Sequence, residues 1–339
     1  MSETPLLTVI IPAFNAGAFV REAIESVLEN GFSDLELLVI DDGSTDNTAE
    51  VVAAIRHPAL RYERNVGNQG VGLVRRRAVE LSRGRLLAML DADDVAVRGR
   101  FDAQVHRLET AGGPDIIGGG IEFFGEFSGT VEFPSEDSQI RAGMPFFDLP
   151  IANGTASMKA QSLRDGIAVY GAMGGAEDYA LWADALVAGL RFENLPVVAT
   201  RVRRHAASLT RSAGGLVFAE GCNVRRRVIG HLFPALAPDE SAALVSALSL
   251  NLGGGQRWID GVCAMAHTVR LAAEAPGIDV DYYLTRLESN LMRLIEHARN
   301  SGAIDNEDLE MITEKNADFE QWRNARHGAL DMHIVTLFA

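Results

Sequence analysis

Cysteine is nearly absent: the 339 residues contain two, Cys222 and Cys263. Two thiols cannot build a disulfide scaffold, and such scarcity suits a reducing compartment. Long apolar runs are missing as well, since none reaches the roughly eighteen residues of a membrane span. The opening Ser2-Glu3-Thr4-Pro5 is polar and acidic, without the basic-then-apolar order of a signal sequence. The expected setting is cytoplasmic. Positive charge is also short, with 31 Lys and Arg against 46 Asp and Glu, a net charge of −15. That balance argues against broad binding to nucleic acid or anionic lipid. A phosphorylated ligand would need a local basic patch, a helix terminus or a bridging divalent cation. What is present is ordinary for a packed chain: 47% hydrophobic and 23% charged residues, enough to bury a core and exclude wholesale disorder. The length suits no more than two or three domains. There are no internal repeats.

The first hundred residues alternate strand and helix signals. Leu7–Ile11 is a β-branched and aliphatic run closed by Pro12, as in a buried strand. Phe19–Glu29 places Phe19, Ala23, Ile24, Val27 and Leu28 on one helical stripe. Leu35–Ile40 is a second strand, Thr45–Ile55 a helix, Arg61–Glu63 a short strand, Gly70–Leu81 a helix, Leu86–Leu90 a strand and Phe101–Thr110 a helix. Strands separated by crossover helices imply a mostly parallel sheet with helices on both faces. The fold class is α/β. Residues 118–133 then read as a hairpin, 134–175 as mixed and loop-rich, Glu177–Ala188 as a helix and Pro196–Arg203 as a strand. After about Thr210, helical patterns dominate: Asp239–Leu250, Trp258–Ala273 and Tyr282–Arg299, interrupted by Gly253-Gly254-Gly255 and Pro276-Gly277. Leu284, Leu287, Leu291, Leu294 and Ala298 make one apolar stripe, read as the packing face of a helical subdomain, with a homodimer seam as the alternative.

Three polar motifs close three of the predicted strands: Pro12-Ala13-Phe14-Asn15, Asp41-Asp42-Gly43-Ser44-Thr45-Asp46 and Asp91-Ala92-Asp93-Asp94. Alone, each has an ordinary reading as a turn or helix cap. Together they converge on the edge of an open α/β sheet where ligands bind. Converging carboxylates repel unless a cation or a ligand's donors compensate them. Asp91-Ala92-Asp93 therefore reads as a hard-cation site suited to Mg²⁺ or Mn²⁺. Gly118-Gly119-Gly120 is not a dinucleotide fingerprint, because the alternating Ile121-Glu122-Phe123 follows it and not a helix.

These motifs, in this order, resemble the signature of glycosyltransferase family 2, the inverting sugar transferases of GT-A fold. The resemblance runs on through Asn68-Gln69-Gly70-Val71, Arg75 and Ser82-Arg83-Gly84, and then Glu177-Asp178-Tyr179-Ala180-Leu181-Trp182, Arg204-His205 and Ser208. It covers about the first 210 residues and implies a GT-A domain over 1–210. Its nucleotide-sugar-binding half would be 1–115 and its acceptor half 116–210, with a helical region over 211–339. It further implies a nucleoside-diphosphate sugar donor, usually a UDP-sugar. Pro12, Ala13 and Asn15 would line the nucleoside pocket, Asp41 would accept from the base, and Arg75 would lie beside it. Asp91 would hold the ribose or the metal's water shell. Asp93 would hold Mn²⁺ or Mg²⁺ on the diphosphate, His205 would reach the metal or the diphosphate from the far side, and Asp178 would be the general base. The chain departs from the family at Val74-Arg75-Arg76-Arg77-Ala78, where Arg76 is either an added donor-side charge or a solvated helix face, and at Met158-Lys159-Ala160-Gln161. The acceptor is a glycan, glycoconjugate or small molecule. The competing readings are a degenerate nucleotide-sugar-binding or scaffold subunit and a sugar-1-phosphate nucleotidyltransferase. The latter would normally carry a Gly-rich basic loop after the first strand, where Pro12-Ala13-Phe14-Asn15 stands.

Overall fold

The computed structural model describes residues 4–301, apart from 147–149, 167, 169, 172–174, 206–213, 251–255 and 276. Gly174, Ser208, Thr210, the Gly253–Gly255 interruption and Pro276 thus lie outside the described residues. Contacts divide the chain into two compact units, Met1–Ile140 with Leu149–Gly221, and Arg141–Asp148 with Cys222–Ala339.

The first unit opens with β1 (Leu7–Ala13), α1 (Val20–Leu28), β2 (Leu35–Asp41), α2 (Thr48–Ala53), β3 (Leu60–Arg64), α3 (Val71–Leu81) and β4 (Leu86–Met89). It continues through β5 (Val95–Ala96), α4 (Arg100–Glu109), β6 (Ile116–Gly125), β7 (Gly129–Val131) and α5 (Asp137–Gly143), which crosses into the second unit. Then follow β8 (Ser157–Lys159), α6 (Ala160–Arg164), α7 (Glu177–Val187) and β9 (Phe192–Arg204). Among the described residues, nine strands form one sheet ordered β3-β2-β1-β4-β8-β6-β9-β5, with β7 paired to β6. Strands β1 to β4 are parallel to one another; β8 reverses direction, β6 and β9 resume it, and β5 and β7 oppose it.

The hydrophobic pattern explains this layering. Alternate residues of β1 point to opposite faces. Leu7, Val9 and Ile11 join Val20, Ala23, Ile24 and Val27 of α1 and Phe101, Val105 and Leu108 of α4 in one core. Ile10, between them, is equally buried, and α3 packs on β1. Pro12 is tolerated in a central strand because β4 pairs only with Leu7–Ile10, so its missing N–H falls beyond that ladder.

Several boundaries differ from the sequence expectation for local reasons. Helix α2 starts at Thr48, since Asp46 stands ahead of it and accepts from the N–H groups of Thr48 (3.0 Å) and Gly17 (2.9 Å). Strand β9 begins earlier than expected and runs through Pro196. The register jumps from Leu195 opposite Gly119 to Val198 opposite Gly120, which leaves Pro196 in the irregularity. The three glycines lie within β6; a Cβ on Gly119 would come 2.9 Å from Ala199 Cβ.

The second unit contains most of α8 (Gly214–Leu232), then α9 (Pro238–Leu248), α10 (Gln256–Ala272) and α11 (Val280–Ser301). Helix α8 has no counterpart in the sequence reading. The α11 stripe faces inward: Leu284, Leu287, Leu291 and Leu294 are buried, and α11 packs on α9, α10 and the 3₁₀ turn Met144–Phe146. Tyr283 anchors it, its ring between Phe146 and Phe233 and its hydroxyl donating to Thr268 Oγ1 at 2.7 Å. The stripe is therefore occupied within the chain and is not a free dimer seam. Among the described residues no helix is long and apolar enough to cross a membrane.

Candidate active site

The three strand-end motifs follow neighbouring parallel strands, and side chains tie the first two of them together. After β1, Asn15 adopts a left-handed conformation (φ 50°), which asparagine tolerates better than most residues. Its N–H donates to Ser44 Oγ at 2.9 Å, and its Oδ1 accepts from Thr45 N–H at 2.8 Å. The Ala16 N–H donates to Thr48 Oγ1 at 2.9 Å. The loops after β1 and β2 are thus one unit, with Ala13 buried beneath them and Phe14 and Asn15 exposed at the rim.

Asp41, at the end of β2, is wholly buried. Its carboxylate accepts from Tyr62 Oη at 2.6 Å and Ser44 N–H at 2.7 Å, with Arg64 Nε 3.5 Å away. Burial and Asp41 together push the Tyr62 hydroxyl above the ordinary tyrosine range. Asp42, also buried, accepts from the N–H groups of Gln69 and Gly70 and from Asn65 Nδ2, and so holds the loop that enters α3.

Buried on α3, Arg75 donates from Nη2 to Asp91 at 2.8 Å and from Nη1 to Glu177 at 2.6 Å. With the Asn153 amide oriented to satisfy its neighbours, Asn153 Oδ1 accepts from Arg75 Nε at 3.2 Å and its Nδ2 donates to Tyr170 Oη at 2.7 Å. The guanidinium also faces the Tyr170 ring at 5.8 Å. Two carboxylates from distant parts of the chain, one after β4 and one opening α7, thus share a single buried cation. Asp178 follows Glu177 directly and is partly buried.

On the other side of Asp91, Asp93 Oδ2 lies 2.9 Å from His205 Nε2, just beyond β9. Adjacent ligands of an octahedral ion at about 2.1 Å stand about 3 Å apart, so the two side chains suit neighbouring positions on one hard divalent cation. Among the described residues no third acidic, histidine or cysteine side chain completes a cage. Asp94 is turned inward, where it accepts from Arg203 N–H at 2.9 Å.

Residues 8–163, the stretch that carries the three strand-end motifs, match the family model described as glycosyl transferase family 2. This is a family 2 glycosyltransferase domain. The chain is 27% identical over 214 residues to an Escherichia coli protein, the UDP-Glc:α-D-GlcNAc-diphosphoundecaprenol β-1,3-glucosyltransferase WfaP, covering 60% of this chain and 80% of that one. Its fold matches that of Staphylococcus aureus TarS in complex with UDP-GlcNAc, with a TM-score of 0.61 at 16% identity over 87% of this chain and 92% of the other. It also matches the mannosyltransferase PcManGT of Pyrobaculum calidifontis in complex with GDP-Man and Mn²⁺, with a TM-score of 0.50 at 17% identity over 87% and 88%. The protein is thus a glycosyltransferase of GT-A fold.

Within this glycosyltransferase the electrostatics set the carboxylates apart. Burial, then the adjacent Glu177 charge, push Asp178 up to about 6, while Arg75 and the Tyr179 N–H oppose them. Burial, Asp91 and Asp93 raise Asp94 well above the carboxylate range. Arg75 stays protonated despite its burial, because Asp91 and Glu177 face it. Arg76 pairs with Glu80 at 3.5 Å, both more than half exposed, which is the solvated-face alternative.

Several residues of the glycosyltransferase escaped sequence reasoning. Arg100, buried, donates to the carbonyls of Met89 (2.9 Å) and Gly154 (2.8 Å) and to Thr200 Oγ1 (2.8 Å). It clamps the end of β4 to the 153–155 turn that passes beneath Asp91. A Cβ on Gly154 would sit 3.5 Å from Asp91 Oδ2 and 3.6 Å from Asp94 Oδ2. Arg203 stacks on Phe19 at 5.0 Å and bonds the Asp93 carbonyl at 3.0 Å. Nothing in the spacing of Arg100 marks it; Glu177, Asp42 and Arg203 had a signal, as charged neighbours of residues already singled out.

Proposed function

We propose that this glycosyltransferase is an inverting enzyme. It moves a sugar from a nucleoside-diphosphate sugar, with UDP as the favoured nucleotide, to a hydroxyl of a glycan, glycoconjugate or small molecule. Asp178 is the general base, and Mn²⁺ or Mg²⁺ sits on the diphosphate. The observation that carries the reading is the Arg75 bridge. A guanidinium bonded to both Asp91 and Glu177 sets the start of α7 beside the donor-side end of β4. A base acting in a single displacement stands across the sugar from the leaving group, and Asp178 opens a helix separate from the strand ends that carry the donor motifs.

Each residue then has a task. Pro12, Ala13 and Asn15 line the nucleoside pocket, and Asp41, held by Tyr62 and Ser44, accepts from the base. Asp91, held by Arg75, presents its second oxygen toward the ribose or a water. Asp93 and His205 would hold the cation, which would supply charge compensation for the departing diphosphate. Asp178, with a proton affinity raised toward neutrality, takes the acceptor's proton as that oxygen attacks, a contribution of about 10²–10⁴ in rate. UDP is favoured because WfaP is named for a UDP-Glc donor and TarS was solved with UDP-GlcNAc.

A donor screen tests the reading. UDP-, GDP-, dTDP- and CDP-sugars are titrated with Mn²⁺ while thermal unfolding is followed. UDP-sugars should stabilise most, and EDTA should remove the effect. Equal stabilisation by UDP with and without EDTA would discard the metal, and stabilisation only by another nucleotide would discard UDP.

A further inference from the structure

The face of α3 that meets the segment leading into α7 has two unusual features three residues apart, hence on one side of the helix. The first is Gly72. A Cβ there would overlap the Gly171 carbonyl and come within 3.3 Å of Glu177 Cβ. The backbones approach at a closeness that only glycine allows. The second is Arg75, whose Nη1 bonds Glu177 Oε1 at 2.6 Å. Glu177 is 6% exposed, and its Oε2 has no partner among the described residues. An isolated buried carboxylate is strongly disfavoured, so the Arg75 pairing is what allows it there. The Asp178 carboxylate, by contrast, bonds the Tyr179 N–H of its own helix, a tether that moves with α7. Its position therefore follows wherever α7 begins.

We infer that Gly72 and Arg75 form a seat on α3 for the start of α7, and that Glu177 is a positioning residue which, gripped by Arg75, fixes Asp178 relative to Asp91. The inference rests on Asp178 being the base. It makes α3 the part that aligns acceptor activation with the donor, although neither Gly72 nor Glu177 acts on the reacting atoms. Asp178 is faced by Glu177, Arg75, Asp91 and Tyr170. Of these only Glu177 can be neutralised while the Arg75–Asp91 bond is left intact.

The test compares Glu177→Gln, Glu177→Asp, Gly72→Ala and Asp178→Asn in the full chain. Two quantities are read: the Kd of UDP with Mn²⁺ by calorimetry, and turnover from pH 5 to 9 of whichever sugar nucleotide the wild type hydrolyses fastest. Misplacement of a reacting group by about 1 Å can cost about 10²-fold. Glu177→Asp and Gly72→Ala should lose about 10–100-fold in kcat with the acid limb of the pH profile unmoved. Glu177→Gln should lose kcat too, and its acid limb should move to lower pH because the charge beside Asp178 is gone. UDP Kd should stay within about three-fold throughout, since the donor side keeps its contacts. Should Gly72→Ala fail to fold, the two Glu177 variants carry the test. Wild-type kcat in the Glu177 variants, or losses of kcat and UDP affinity in step, would overturn the seat. If Asp178→Asn itself kept wild-type turnover, the base assignment would fall first.

Discussion

Replacing Asp178, the proposed base, should make the protein more stable, and the gain should depend on pH. The Asp178 carboxyl is pushed from the ordinary 3.8 to about 6 by burial and by Glu177. Because the folded-state value is raised, the fold prefers the protonated form. Stability present below the unfolded value is lost as pH rises from about 4 through about 6. Taken in full, that rise amounts to about 3 kcal/mol at neutral pH. Partial exposure and screening reduce it to roughly 1–2 kcal/mol. Asp178→Asn keeps the oxygen that accepts from Tyr179 N–H but never carries the charge. The variant should therefore match wild type near pH 4 and exceed it by roughly 1–2 kcal/mol at pH 8, a Tm gain of about 2–6 °C. Thermal unfolding of the ligand-free chain at pH 4, 6 and 8, followed by far-UV circular dichroism, reads this directly. An asparagine variant no more stable at pH 8, or stabilised equally at pH 4, would refute the account of Asp178. The same variant should lose about 10²–10⁴ in transfer rate, so the residue trades stability for function.

Other perturbations separate the parts of the site. Asp93→Ala should abolish Mn²⁺-dependent stabilisation by UDP while far-UV circular dichroism stays that of wild type. Arg75→Met leaves Asp91 and Glu177 without their shared cation; it should cost about 3–5 kcal/mol of stability, measured by denaturant unfolding. Tyr62→Phe removes one hydrogen bond from buried Asp41 and should cost about 1–3 kcal/mol, with weaker UDP binding by calorimetry. Leu287→Asp, because Leu287 is fully buried in its own unit, should destabilise the helical unit by several kcal/mol, roughly the desolvation of a carboxylate. A soluble, fully folded Leu287→Asp chain on gel filtration would contradict the inward packing of α11.

What the sequence made legible was whatever rests on local pattern. The strands β1, β2 and β4 are short apolar runs with abrupt polar ends, and α1 and α11 carry clear stripes; all were expected within a few residues. Convergence of the Asn15, Asp41 and Asp91 segments followed from parallel strand direction alone. What stayed hidden depends on distant partners. Strand β8 is three residues long and reverses the sheet's direction, too short for any period to show. Arg100 and Arg203 look like exposed charges until the fold buries one and stacks the other on Phe19. The bridge that Arg75 makes between Asp91 and Glu177 was not foreseen. That bridge depends on residues 102 positions apart, beyond any reading of spacing. The α11 stripe was visible, but only the packing of α9 and α10 settled which surface it covers.

The central claim, a single displacement by an acceptor oxygen deprotonated at Asp178, is tested most directly by the stereochemistry of the product. The wild-type enzyme is given a UDP-α-sugar, Mn²⁺ and water as acceptor, and the released sugar is followed by proton NMR before mutarotation equilibrates it. The account predicts that the β-anomer appears first, and that Asp178→Asn releases it at a rate lower by about 10²–10⁴. An α-anomer as first product would contradict the account, because retention requires a different path.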